Sequence, residues 1–542
     1  MVVLLLLAGL LAYMYWPMGS VKIIISRETT YITGPLNPDG TVNYVAYLDA
    51  NYAEGVTPEN NAAPLLLRAM GPMMLPSTGW SKPSPEMTSR ILRRLGLPAN
   101  FFDRNDFFVA WGNLASPDKA EGTDANSDES DYVEDESGPS LYDVRQMIFA
   151  GEMHPDIEPW LARNVAPLEI IRQASIKPRC YMPLVCWSTS SSIQDLSEPP
   201  LYAFRQAADS LTIRSLIKFK HNDLAGAWDD LLAAHRLSRL LAQGPTMDAQ
   251  MGASGIDAFA SQIGVSLATR GDMPAKKMRM ILKELIDLKP VSRIEEVEEK
   301  YQRFVLLDAI GVWARGQELY YLRSTDDDEV RLPDPSSLDY NQMLRDMNCW
   351  YDRVREEVRL ARLKDPGEAS VVRKGEDMKL ISSDGPPGKL GVFVYNHGGR
   401  PFRKARTKWM TNILLFMKAT NNETAWDIVD RTRMLHEIET LAVALACYHA
   451  EYGRWPSELD ELCPSLLNAI PIDRFSGKPL IYRLSDKGYL LYSIGKNRRD
   501  DGGRLKTNCV RRKRADDIVA KVEPAGEASR PATSQPAAPA VP

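Results

Sequence analysis

Between Leu201 and Leu288 the apolar residues return every three or four positions, a period that only packed α-helix satisfies over so long a stretch. Leu224, Trp228, Leu231, Leu232 and His235 form one such stripe. Gly244-Pro245 closes that helix, because glycine accepts a left-handed cap and proline cannot continue the ladder, and Asp272-Met273-Pro274 opens the next. The helical pattern extends from about Pro155 to Lys364, with further helices expected from near Arg293 to Arg323 and from about Leu338 to Leu363. A chain of 542 residues has room for two to four cored domains. Its 44% hydrophobic and 25% charged content excludes a wholly disordered protein. The expected fold class is mainly α: a body of helical hairpins with a small C-terminal α/β domain, a long helix plus an antiparallel hairpin.

Several stretches mark the boundaries of this body. Val2 to Trp16, "VVLLLLAGLLAYMYW", carries no charge and ends in aromatic residues of the kind that settle at a headgroup layer. No basic n-region precedes it and no small-x-small cleavage site follows, so the reading is an uncleaved single-pass anchor; Lys22 and Arg27 behind it leave its orientation open, and the soluble part is expected outside the cytoplasm. The competing reading is a buried strand or helix. "VKIIIS" then suggests a short strand, and Thr57-Pro58-Glu59 a helix start that Gly71-Pro72 stops. Asp118 to Glu136 holds nine carboxylates against one lysine, which favours a loop that cannot bury itself. Asp124, Asn126, Asp128 and Asp135 fall at EF-hand ligand spacing there, but Glu129 stands where the turn requires glycine. The expected organisation is anchor 1–18, short-helix region 19–117, acidic loop 118–138, helical domain 139–364, linker 365–402, α/β domain 403–508 and an unstructured tail 509–542.

The C-terminal domain has the most distinctive pattern. Leu435, Ile438, Leu441, Leu445, Tyr448 and Tyr452 step by three and four, so Trp426 to Tyr452 reads as a helix with one buried face, capped by Gly453. Trp455-Pro456 fixes an extended exit from which the ring lies back on that helix. Ser457 caps a short helix with Asp460 as its reciprocal partner. Residues 480–484 and 489–494 read as strands joined by Ser485-Asp486-Lys487-Gly488. Gly-Arg-Trp-Pro, Ile-Pro-x-Asp-x-Phe-x-Gly-Lys-Pro-Leu-x-Tyr and Gly-Tyr-x-Leu-Tyr-Ser-Ile-Gly occur here in order. From about Trp426 to Gly503 the chain thus resembles the globular part of type II secretion major pseudopilins. That resemblance implies a long helix carrying a small antiparallel sheet and a loop able to hold calcium. The matching loop, Ser493 to Gly503, offers Asp500 and Asp501 as metal ligands, while Lys496, Arg498 and Arg499 in the same loop repel a cation; a solvated turn is the competing reading. The chain lacks the family's basic leader and N-terminal glutamate, so polymerisation does not follow.

Two further resemblances concern architecture. "FKHNDLAGAWDDLLAAHRL" is similar to the turn and second helix of a tetratricopeptide repeat, with Asn222-Asp223 in the turn and Ala227 and Ala234 at small packing positions; no second copy follows at the repeat period, and a plain αα-hairpin fits as well. "KPRCYMPLV" and "AWDDLLAAHRLSRLLAQGP" resemble segments of bacterial membrane-anchored proteins of the same plan, for which no activity is known.

The chemistry is sparse. A net charge of −5 and a pI near 5.9 provide no basic field to collect phosphates, so no nucleic-acid partner is expected despite the Arg511–Arg514 cluster. "GPPGKL" is too short for a phosphate loop, no nucleophile elbow is present, and His436-Glu437 starts a zincin motif that Thr440 breaks. His235 lies on the apolar stripe as a core histidine. The six cysteines lack zinc spacing and are read either as buried thiols or as bridges of unassignable pairing. The resulting expectation is a membrane-anchored extracytoplasmic interaction or structural protein, with no catalytic residue or cofactor-binding residue assigned. The alternatives are an accessory component of a type II secretion or pilus-like system, with secretion or envelope proteins as partners, and an envelope hydrolase.

Overall fold

The computed structural model describes residues 22–76, 83–111, 139–187, 192–197, 199–270, 273–317, 337–364, 402–485, 488–503 and 517–522. The apolar 2–16 run, the acidic stretch from 118, the 365–401 linker and Cys509 lie outside them. The fold is mainly helical, with one three-stranded antiparallel sheet near the C-terminus. The chain divides into two compact units: 1–260 with 289–433, and 261–288 with 434–542. Two of the three breaks pass through the Met247–Arg270 and Arg403–Tyr452 helices, and the third falls just after the Ala275–Asp287 helix.

In the first unit, the helices Leu201–Lys220 and Leu224–Leu241 form the expected hairpin. Asn222 takes the left-handed turn conformation (φ 63°), and the Asp223 carboxylate accepts the Gly226 N–H at 2.9 Å as the helix cap. Ala227 and Ala234 are fully buried, which lets the two backbones approach until Ser215 Oγ donates to the Ala227 carbonyl at 2.7 Å. A second core gathers around Phe304, whose ring meets Tyr44 at 4.9 Å and Tyr47 at 5.6 Å. Met343, Met347, Trp350 and Leu414 complete it. Burial of such side chains contributes roughly 1.5–3 kcal/mol each.

The amino end of this unit departs from the sequence expectation. Lys22–Ile25 forms no strand. The Asn341 side chain meets this backbone instead: its Oδ1 accepts the Ile24 N–H at 2.8 Å and its Nδ2 donates to the Lys22 carbonyl at 3.1 Å. Asn348, two turns further along the same Tyr340–Lys364 helix, donates to the Glu28 and Thr29 carbonyls at 3.0 and 2.9 Å. Thr57-Pro58 starts a turn and not a helix; the helix runs Ala63–Met70 with Pro64 in its first turn, and Gly71 does end it. The helix expected to reach Arg323 ends at Ala314 with Gly316 at φ 77°, and residues 318–336 fall outside the described set.

In the second unit, Leu435, Ile438, Leu441, Leu445 and Tyr448 are buried as the period requires, whereas Tyr452 at the helix end is 58% exposed. Gly453 (φ 67°) turns the chain, and Trp455 stacks on His449 at 4.2 Å and meets Tyr489 edge-on at 4.9 Å. The strands are β1 (Ile481–Ser485), β2 (Gly488–Ser493) and β3 (Ile518–Lys521), in the order β1-β2-β3. β1 and β2 pair from Ile481↔Tyr492 to Ser485↔Gly488, as a tight hairpin demands. β3 corrects the sequence reading: it lies inside the stretch expected to be tail, and pairs with β2 from Leu490↔Lys521 to Ser493↔Ile518.

Candidate functional site

The Asp473-x-Phe-x-Gly turn is held by one carboxylate. Asp473 is buried; its Oδ1 accepts the Phe475 N–H at 2.9 Å and the Ser493 hydroxyl at 2.8 Å. Its Oδ2 accepts the Ser476 hydroxyl at 3.0 Å and the Ile494 N–H at 3.2 Å. The turn is thereby tied to the end of β2, and Gly477 supplies the positive φ (68°) that closes it. Sequence reasoning identified the turn but not this hub.

A second carboxylate governs the Trp455-Pro456 step. Glu461, and not Asp460, is the partner of Ser457, accepting its N–H at 2.5 Å and its hydroxyl at 2.6 Å, while Glu458 and not Ser457 occupies the N-cap position of the short helix. It also accepts Arg454 at 2.8 Å and the Tyr448 hydroxyl. Hydrogen bonds from Arg454 first, then Ser457 and Tyr448, hold its carboxyl well below the usual range. The element is a 3₁₀ turn, Leu459–Leu462, without a side-chain cap, so the expected capping box does not form.

Asp500 and Asp501, the two calcium candidates, are engaged within the loop. Asp500 Oδ1 accepts the Tyr492 hydroxyl at 2.7 Å and the Gly502 N–H at 2.8 Å, and its Oδ2 faces Arg483 at 3.4 Å. The Tyr492 hydroxyl foremost, with the Gly502 N–H, keeps the Asp500 carboxyl below its ordinary range. Asp501 Oδ2 accepts the Asn497 amide at 2.8 Å. A cation bound to Asp500 has to displace a tyrosine hydroxyl and approach the Arg483 guanidinium.

In the helical unit, the buried charges meet in tight pairs. Asp230, fully buried, receives Arg214 through two bonds of 2.7 and 2.6 Å and Lys218 at 2.8 Å. Asp257 accepts His235 at 2.6 Å and also pairs with Arg239. Arg145 meets Asp209 at 2.8 Å, and burial pushes each of their pKa values toward the neutral form, Arg145 down and Asp209 up. Arg303, itself buried, reaches out to the exposed Asp352 at 2.7 Å and lies 4.0 Å above the Tyr31 ring. His235 is fully buried, as its place on the apolar stripe requires. Among the described residues all five cysteines are free thiols, and burial raises Cys180, Cys186 and Cys447 to about 12. Glu437 accepts the Arg474 Nε at 2.9 Å, and the Thr440 hydroxyl donates to the His436 carbonyl.

One open cleft of about 310 Å³ interrupts this closed interior. Its walls come from four places: Asn51, Tyr52 and Glu54 at the end of the Tyr44–Ala53 helix, Arg179, the Gln243–Pro245 turn, and the segment Arg293 to Tyr301. The last segment passes through a π-helical turn, Glu298–Gln302, which sets Lys300 and Tyr301 on the cleft. Arg293 and Lys300 share Glu296, with Nε at 3.0 Å and Nζ at 3.1 Å. Burial works against the charge of that carboxyl, but the two cations prevail and keep it below its usual pKa. Burial, and to a lesser degree Asp248, raises the Tyr301 phenol. Arg179 differs from the other two cations: among the described residues no carboxylate pairs with it. Its Nη2 donates to the Tyr52 carbonyl at 3.0 Å, while its Nε is buried with no acceptor. No local motif announces the cleft, since its walls are drawn together only by the fold.

No family model, no curated protein and no solved structure matches this chain.

Proposed function

We propose that this chain is an interaction or structural protein, anchored at a membrane by its apolar 2–16 run with the described units outside the cytoplasm. The observation that carries this reading is the commitment of buried acids and bases to one another. Asp230 with Arg214 and Lys218, Asp257 with His235 and Arg239, and Asp209 with Arg145 are closed sets that shape a scaffold. A hydrolytic acid and base need a substrate between them. Among the described residues no helix is long and apolar enough to cross a membrane, so anchoring rests on the 2–16 sequence. Fractionation of the native protein tests it: recovery in the membrane pellet after alkaline washing, with release by detergent alone, is expected. Full recovery in the soluble fraction without detergent would overturn it.

A second reading, an accessory component of a type II secretion or pilus-like machine, is favoured by the C-terminal architecture. A long helix runs into a small antiparallel sheet, with a turn-rich loop closing it, which is the arrangement that the resemblance implies.

A further inference from the structure

We propose that the cleft beside Arg179 binds a compact organic carboxylate, with the Arg179 guanidinium as its anchor. This goes beyond the interaction reading and stands or falls separately from it. Three properties of the cleft point the same way.

The first is charge. Of the three cations on the walls, Arg293 and Lys300 share the single charge of Glu296, which leaves Arg179 as the cation without a carboxylate among the described residues. One planar guanidinium matches one planar carboxylate. A doubly charged phosphate would find too little compensation here and would be repelled by Glu54 and Glu296 on the same walls.

Rigidity is the second. Arg179 N–H donates to the Asn60 carbonyl at 3.2 Å, the Arg179 carbonyl accepts the Ala62 N–H at 2.8 Å, and the Tyr52 carbonyl holds its Nη2. The neighbouring Cys180 N–H is held by Gln243 Oε1 at 3.0 Å, and the Cys180 carbonyl by the Tyr52 hydroxyl at 2.5 Å. The guanidinium is thus preorganised, which lowers the ordering cost of binding.

The third is shape. A volume of about 310 Å³ suits a small molecule, and Leu48, Val297, Pro245 and the Tyr52 and Tyr301 rings give the ligand body an apolar lining. The adjoining apolar pocket, which shares Tyr52 and Pro245, offers only about 40 Å³. A long acyl chain therefore does not fit, while a ring or a short branched chain does.

Calorimetric titration of the purified full-length chain with benzoate, 3-phenylpropionate, dodecanoate and inorganic phosphate tests this. Saturable binding of benzoate or 3-phenylpropionate is expected, with Arg179→Gln weakening it at least about tenfold, the loss anticipated for one charge-assisted hydrogen bond. Asn51→Trp, placed on the exposed rim, should block the cleft while leaving the thermal transition unchanged. If Arg179→Gln does not fold, Arg179→Lys supplies the test: charge is kept, the planar fork is lost, and affinity must still fall. Binding of phosphate or dodecanoate as tightly as the aryl carboxylates would overturn the ligand class. Binding that ignores both Arg179→Gln and Asn51→Trp would overturn the site, and absence of binding by either aryl carboxylate would overturn the proposal as a whole. None of these results bears on membrane fractionation, which tests the interaction reading.

Discussion

In the helical unit a buried carboxylate such as Asp230 faces full positive charges, Arg214 and Lys218; in the C-terminal module the buried Asp473 faces two backbone N–H groups and two serine hydroxyls. Both solutions satisfy a carboxylate away from water, but they fail differently. Removing one member of an ion pair strands a charge in the core, while removing a carboxylate held by dipoles strands groups that cost less to leave unpaired. The helical unit joins long elements through their side chains, where arginine and lysine can reach across. The module joins short turns, where backbone N–H groups are the donors at hand.

That contrast is open to attack by mutation. The largest effect is expected from Asp230→Ala, at about 3–5 kcal/mol of unfolding free energy, measured by denaturant titration. Replacing Asp230, Arg214 and Lys218 together with apolar residues of similar volume should recover most of the loss, because no buried charge is then left unpaired. A triple variant as unstable as Asp230→Ala alone would show that the pair itself stabilises the fold. Asp473→Ala comes next, at about 2–3 kcal/mol, with hydrogen exchange rising first at Ser493–Gly495.

Asp308 sharpens the comparison, because it lies in the helical unit but is held in the module's manner, by the Ser192 hydroxyl at 2.6 Å and the Ile193 N–H at 2.8 Å. Burial, against these bonds, raises its carboxyl above the model-peptide value of 3.8. A raised folded-state pKa means the native state holds the proton longer than the unfolded chain. Stability from this group is therefore fully present below about pH 3.8 and is lost as pH rises through the folded-state value. Asp308→Asn should cost within about 1 kcal/mol at neutral pH and should remove that slope from stability measured against pH. A loss as large as that of Asp230→Ala would break the distinction between charges and dipoles.

Glu461 has the opposite sign. Its carboxyl is held below the ordinary glutamate value of 4.5, chiefly by Arg454, so its contribution is present above about pH 4.5 and lost as pH falls through the lower folded-state value. Glu461→Gln should raise hydrogen exchange near Trp455 at neutral pH, with the difference from the parent protein shrinking under strong acid. The smallest effect belongs to calcium at Asp500 and Asp501. Because Asp500 is already engaged by Tyr492 and Gly502, any rise in melting temperature with calcium should stay well below the shift produced by Asp473→Ala and should vanish in the Asp500→Ala, Asp501→Ala double variant. A calcium shift larger than that, or one surviving the double variant, would place the ion elsewhere.

What could be read in the sequence follows the range of the interactions involved. The hairpin of Leu201–Lys220 and Leu224–Leu241, the Gly453 cap and the β1–β2 turn were legible because period, cap and turn chemistry are local. Lys22–Ile25 misled because its isoleucines carry strand propensity, yet its backbone is met by Asn341, more than three hundred residues away. β3 was hidden for a related reason: four residues beside a charged, Ala- and Pro-rich tail become a strand only by pairing with β2. The Asp473 turn was visible as a turn, but its link to Ser493 needs the sheet in place. Arg179 carried no signal at all, since what sets it apart is the lack of a carboxylate partner among the described residues, a property only the fold reveals.

Crosslinking in native membranes, followed by mass spectrometry of what co-purifies with the tagged full-length chain, tests the interaction reading most directly. A recurrent, defined set of envelope or secretion-channel proteins crosslinked to the two described units is the expected result. No recurrent partner, in a protein that leaves the membrane without detergent, would contradict it.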